Sequence, residues 1–158
     1  MSIEQIQIAS VNAAIGRSCH LLDDERFDEW LAVCTQDVSY SIRTYSPEIR
    51  REMTWLQHDR AGLERMLSTL RLHQRDSGTL FRHPSVLQME NGVDGTLKSM
   101  TAVLIYRTTQ DGISSLFAAA RYFDEWEAGS VQLLLKTRRV QLVTRVLMSD
   151  TGGSHVPL

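Results

Sequence analysis

The chain has 158 residues, 42% of them hydrophobic and 23% charged, a balance that suits one domain spanning 1–158 and excludes intrinsic disorder. A net charge of −2 with both signs interspersed, and basic clusters as short as Arg50-Arg51 and Arg138-Arg139, exclude a nucleic-acid footprint. No apolar run approaches the roughly 18–20 residues of a membrane span. The opening MSIEQIQIAS lacks the features of a signal peptide, and Cys19 and Cys34 make no disulfide framework, so a cytoplasmic chain is expected.

Ile3–Leu22 carries Ile3, Ile6, Ile8, Val11, Ala14, Ile15, Cys19 and Leu22 at the spacing of an amphipathic helix. Asp23-Asp24 is placed to end it and to cap a second helix over Glu25–Cys34, where Phe27, Trp30, Leu31 and Cys34 share a side. Thr35-Gln36-Asp37 is expected to be the exit turn. In Val38–Thr44, Val38, Tyr40 and Ile42 alternate with polar residues, the pattern of a short half-buried strand. Glu48–His58 fits neither period. Asp59 is a cap candidate for a helix over Arg60–His73, with Leu63, Met66, Leu67 and Leu70 on its apolar face. Leu80–Glu90 is expected as a strand, with Pro84 marking an edge or a bulge. Asn91-Gly92 and Asp94-Gly95 predict a hairpin into Thr96–Thr109. Gln110-Asp111-Gly112 then turns the chain into Phe117–Val143, two extended runs around a short turn. Helices first and a strand meander later predict an α+β fold, with a long curved antiparallel sheet wrapped around N-terminal helices as a cone.

The chemistry-bearing residues do not converge on a redox site. A Rieske cluster needs two cysteines and two histidines, each Cys closely followed by a His. Here Cys19-His20 are adjacent but Cys34 has no nearby His, and both cysteines read as core residues. The five histidines, His20, His58, His73, His83 and His155, show no ligand spacing for a mononuclear iron. For acid–base catalysis inside a cone, the candidates are Asp37, Tyr40, His83, Tyr122 and Asp124. Each also has a structural reading. Tyr40 suits a core position with its hydroxyl satisfied, Asp37 a turn or cap, His83 a hydrogen-bonding surface, and Asp124 a pair with Arg138 or Arg121 across neighbouring strands.

Several motifs in order along the chain carry a family resemblance. They are LLDDERFDEWLAVCTQDVSYSI at 21–42, Arg82-His83, the F-x-x-x-x-R-Y-x-D of Phe117, Arg121, Tyr122 and Asp124, and the R-x-V-x-L of Arg138, Val140 and Leu142. Together they resemble the beta (small) subunits of Rieske-type ring-hydroxylating oxygenases, which have the nuclear-transport-factor-2-like cone fold. The chain departs from that pattern at Ala120 (usually Gly), at Val143 (usually Asp) and at Pro84. The resemblance implies a structural subunit with no cofactor of its own. The Rieske [2Fe-2S] cluster and the mononuclear Fe(II) would lie on a partner alpha subunit, in a complex of three alpha and three beta chains built on a beta homotrimer. The segment YSPEIRREMTWLQHDRAGLERML and the ending GGSHVPL look closest to subunits of enzymes that hydroxylate small organic acids, aromatic carboxylates or alkanesulfonates. Trp55, Arg82, His83, Arg121, Trp126, Arg138 and Arg139 are the expected interface residues, since Arg and Trp are enriched at interfaces. The tail over 145–158 is a candidate arm reaching a neighbour or, equally, a frayed terminus. The alternatives are a stand-alone isomerase or dehydratase with an acid–base pair in the cone, or a non-catalytic ligand-binding module.

Overall fold

Helix α1 runs from Ile3 to Asp23, and its buried stripe is Val11, Ile15, Ser18, Cys19 and Leu22. The computed structural model describes residues 3–72, 78–144 and 157–158. The chain leaves α1 through Glu25, whose φ of 56° is left-handed, and enters the six-residue helix α2, Phe27–Ala32. No side chain caps α2, so Asp23-Asp24 does not have the capping role expected of it. The Asp23 carboxylate is instead committed to Arg82.

Strand β1 spans Cys34–Ser46, longer at both ends than the alternating core of Val38–Thr44. Thr35-Gln36-Asp37 is therefore strand rather than exit turn, and Cys34 opens a strand rather than closing a helix. The ambiguous segment resolves as β2, Arg51–Asp59, which is exposed along most of its length and so lacks the alternation that would have marked it. Helix α3, Arg60–Leu72, follows at once. The Gly62 N–H donates to Asp59 Oδ1 at 2.8 Å, which makes Asp59 the expected N-cap. The remaining chain is the meander β3 (Thr79–Asn91), β4 (Leu97–Thr108), β5 (Ser114–Ala128) and β6 (Leu133–Leu142). Gly95 and Gly112, with φ of 77° and 79°, supply the left-handed residues at its first two turns.

The six strands form one sheet in the order β2-β1-β6-β5-β4-β3. Every pairing is antiparallel except β1 with β6, so the sheet is mixed rather than wholly antiparallel. The exception is topological. The β1–β2 hairpin is made first, and the meander returns to pair its last strand with β1. Pro84 sits on β3, an edge strand, where a missing N–H is tolerated, and a bulge follows between Val86 and Gln88. Bulges or irregularities at the other four strand pairings sharpen the curvature of the sheet. Its inner face closes over α1, α2 and α3 around Trp30, Tyr40, Tyr122, Trp126 and Leu135. The result is the expected α+β cone.

Candidate functional site: cone interior and outer sheet face

Strand alternation decides which residues meet. On β5 it turns Tyr122, Asp124 and Trp126 inward and Arg121 and Phe123 outward. Asp124 lies opposite Arg138 on β6. The guanidinium of Arg138 donates from Nε to Asp124 Oδ1 and from Nη2 to Oδ2, both at 2.8 Å. Its remaining nitrogen, Nη1, donates to Ser18 Oγ on α1 at 3.0 Å, and the same oxygen accepts from Trp30 Nε1 at 3.0 Å. The guanidinium carbon sits 4.2 Å from the Tyr122 ring centroid, a cation–π contact. The Arg138 and Asp124 side chains are both wholly buried. Burial pushes the Asp124 carboxyl above the usual carboxylate range, and the charge and hydrogen bonds of Arg138 oppose that rise. Burial likewise raises the Tyr40 and Tyr122 phenols.

A second buried pair closes the other side of the cone. Arg82, inward on β3, forms an ion pair with Asp23 at the end of α1, and its backbone N–H also donates to Asp23 Oδ2 at 3.0 Å. Arg82 Nη2 donates to the Pro157 carbonyl at 2.5 Å, and the Tyr40 hydroxyl donates to the Leu158 carbonyl at 2.8 Å. Trp126 Nε1 donates to Ser99 Oγ at 2.9 Å. Pro157-Leu158 thus lies in the chain's own core, which corrects the expectation that this end of the tail reaches a neighbour. Residues 145–156, His155 among them, lie outside the described residues.

The acid–base candidates are not brought together as a facing pair. Both oxygens of Asp124 accept from Arg138, which meets the expectation of a cross-strand pair. Tyr40 is core with its hydroxyl satisfied, also as expected. Asp37 is solvent-exposed, 4.0 Å from Lys136 Nζ, and His83 is exposed on the outer face. Among the described residues, no group of three or more His, Cys, Asp and Glu side chains is placed to hold a metal ion. Burial pushes the Cys19 thiol up to about 11 and the Cys34 thiol up to about 12, whereas a metal ligand must be a thiolate.

The outer face has a different character. The register sets His83 opposite Leu104 and Phe81 opposite Tyr106, then Arg121 opposite Gln141 and Phe123 opposite Arg139. Phe81 is 60% exposed, and Leu104 and Tyr106 are more than a third exposed. The Arg139 guanidinium lies 4.2 Å from the Phe123 ring centroid, and its Nη1 is 3.8 Å from Glu52. A groove of about 400 Å³ crosses this face between Ser39, Arg43, Gln88, Lys98, Phe123 and Arg139. Of the seven expected interface residues, Trp55, His83, Arg121 and Arg139 keep exposed surface. Arg82, Trp126 and Arg138 do not, each being at most 3% exposed. The physical reason is the two-residue period: Arg138 and Arg139 are neighbours in sequence and face opposite sides of the sheet. Sequence reasoning missed Ser18, Asp23 and Leu158. Only an inward-facing Ser on the apolar stripe of α1 hinted at the first of these.

The profile of the ring hydroxylating beta subunit matches residues 17–149. The chain belongs to the ring-hydroxylating beta-subunit family. It is 37% identical over 138 residues to the beta subunit of 2-aminobenzenesulfonate 2,3-dioxygenase from an Alcaligenes species, covering 87% of this chain and 90% of that one. It is 33% identical over 158 residues to the beta subunit of the methanesulfonate monooxygenase hydroxylase of Methylosulfonomonas methylovora, covering 94% of this chain and 86% of that one. Among solved structures, naphthalene 1,2-dioxygenase has a chain that superposes with a TM-score of 0.80 at 18% identity, covering 100% of this chain and 88% of that one. A protein assigned as a scytalone dehydratase from Novosphingobium aromaticivorans superposes with a TM-score of 0.65 at 14% identity, covering 96% and 97%. The cone alone therefore does not separate oxygenase subunits from dehydratases. For this beta subunit, the structure gives the Arg-Tyr-x-Asp and Arg-x-Val-x-Leu motifs a physical meaning: Tyr122, Asp124, Arg138, Val140 and Leu142 all line the inner face, and the two motifs meet in the Asp124–Arg138 pair.

Proposed function

We propose that this beta subunit acts by assembly, holding alpha subunits in register in a complex of three alpha and three beta chains, and takes no part in the chemistry. The Rieske cluster and mononuclear iron belong to the partner alpha subunit in this reading. The substrate is a small organic acid, a sulfonate in keeping with the substrates named for the two curated relatives. The observation that carries the reading is the outer sheet face, where Phe81, Leu104 and Tyr106 lie exposed beside His83, Arg121 and Arg139. Apolar and aromatic side chains interspersed with Arg are the composition of a protein interface. In the cone, the charged groups are spent on one another, with both Asp124 oxygens held by Arg138 and Asp23 paired with Arg82.

The test is co-expression with the cognate alpha subunit. Leu104→Asp and Arg121→Glu are expected to leave the melting temperature of the isolated beta chain within about 2 °C, because both side chains face outward. They should dissociate the complex on a sizing column and lower its turnover in step with the loss of assembly. Intact complex from both variants would refute the placement. Substrate turnover by the metal-free beta chain alone would refute the assembly role.

A further inference from the structure

Two donors in the cone end on backbone carbonyls of a segment that belongs to no helix or strand. Tyr40 Oη donates to Leu158 at 2.8 Å and Arg82 Nη2 to Pro157 at 2.5 Å. Leu158 has no exposed surface and packs in the core cluster. Among the described residues, three buried polar atoms of the inner face have no hydrogen-bond partner: the Tyr122 hydroxyl, the Arg82 Nε and the Thr101 hydroxyl. Thr101 lies directly opposite Tyr122 across β4 and β5, and both face inward. Buried polar atoms are rarely left unpaired, and each instance calls for an occupant or a function. Pro157-Leu158 lies outside the helices and the sheet ladders; among the described residues it is held by these two hydrogen bonds and by the burial of both its residues. That segment has the chemistry of a ligand, with acyl oxygens facing two donors and a branched apolar group buried in the core cluster.

We propose that Tyr40, Arg82 and Tyr122 form an acyl-binding site inside the cone, that Pro157-Leu158 occupies it in cis, and that a hydrophobic acyl compound of leucine size takes the same place in trans. Asp23 balances Arg82 and Asp124 balances Arg138, so the site carries no net charge from its two ion pairs. Its recognition rests on an oxygen acceptor beside a branched aliphatic group, which either a neutral amide or a carboxylate supplies.

The experiment uses the full-length chain with Leu158→Asp, which drives the segment out of an apolar pocket. The probes are N-acetyl-prolyl-leucinamide and N-acetyl-prolyl-leucine, followed by titration calorimetry. Saturable binding to the variant, at least tenfold tighter than to the unsubstituted chain and weakened at least fivefold by adding Tyr40→Phe, supports the site. Binding of the amide assigns a neutral carbonyl ligand, and binding of the acid assigns a carboxylate. If neither probe binds the folded variant, or both bind the unsubstituted chain equally well, the proposal fails. Should Leu158→Asp not fold, Leu158→Ala in the full chain gives a second readout through Cys19, which is within electrostatic reach of Arg82 and Tyr122. Its labelling by a thiol reagent, followed by peptide mapping, is expected to accelerate at least tenfold and to slow again with saturating probe. An unchanged rate overturns the proposal.

Discussion

Replacing Asp124 with Asn separates an internal clamp from an interface residue. The substitution keeps the shape but removes the charge and turns an amide N–H₂ towards a guanidinium that has only donors to offer. Arg138 is wholly buried, so its charge has no water to fall back on, and Ser18 alone replaces little of the lost carboxylate. Breaking a buried pair by removing one partner destabilises by about 3–5 kcal/mol. For a domain of this size, each kcal/mol shifts the melting temperature by about 2–4 °C, so a fall on the order of 10 °C is expected. The double variant Asp124→Leu/Arg138→Met removes both charges and is expected to recover most of that loss, because a well-packed apolar pair avoids the desolvation penalty altogether. The assay is urea and thermal unfolding of the isolated beta chain at pH 7, run as a double-mutant cycle. A loss below about 1 kcal/mol in Asp124→Asn would refute the reasoning. So would a double variant less stable than the single one, or an unaltered fold with a broken alpha–beta complex.

Three further outcomes follow from the same structure. Burial holds the folded Cys19 thiol at about 11 against an ordinary 9.0, so its contribution is intact below pH 9 and is lost as pH rises towards 11. Unfolding scans at pH 8 and 10.5 should show that decline, with Cys19 contributing on the order of 2 kcal/mol of it, and Cys19→Ala should remove that part while leaving the part due to Cys34 and the buried phenols. Both thiols are expected to resist labelling at pH 8 until the chain is unfolded, as burial raises Cys34 further still, to about 12. A fast native reaction of Cys34 would contradict its burial. Asp59→Ala removes the acceptor for the Gly62 N–H and is expected to lower stability by about 1 kcal/mol in urea titrations, with no effect on assembly.

Much of the architecture was legible because the local patterns are strong. The turn glycines at 95 and 112, the Asp59 cap and the apolar stripes of α1 and α3 each act within a few residues, where sequence period and backbone sterics suffice. Pro84 announced its edge for the same local reason. β2 was illegible because its alternation reports burial, and most of this strand has no buried face to report. Thr35–Asp37 looked like a turn from residue preference. It became strand because β1 is held between β2 and β6, so tertiary pairing overrode a weak local bias. The candidate site was legible only in part. That Asp124 would pair across strands could be read from the sequence. The choice of Arg138 over Arg121 could not, since it depends on which strand residue stands opposite.

The sequence by itself determined the class of fold, the order of its elements and, through the spacing of its motifs, the ring-hydroxylating beta-subunit family. These are properties of neighbouring residues and of periodicity, so they survive without coordinates. Only the tertiary structure decided which charged residues are inside. Arg138 and Arg139 differ by one step along a strand, and that step sends one guanidinium to a buried carboxylate and the other to the open face of the sheet. It likewise took the folded chain to bring Leu158 within 2.8 Å of Tyr40, 118 positions earlier in the sequence. Contacts at that separation are fixed by the closing of the cone, which no local pattern encodes.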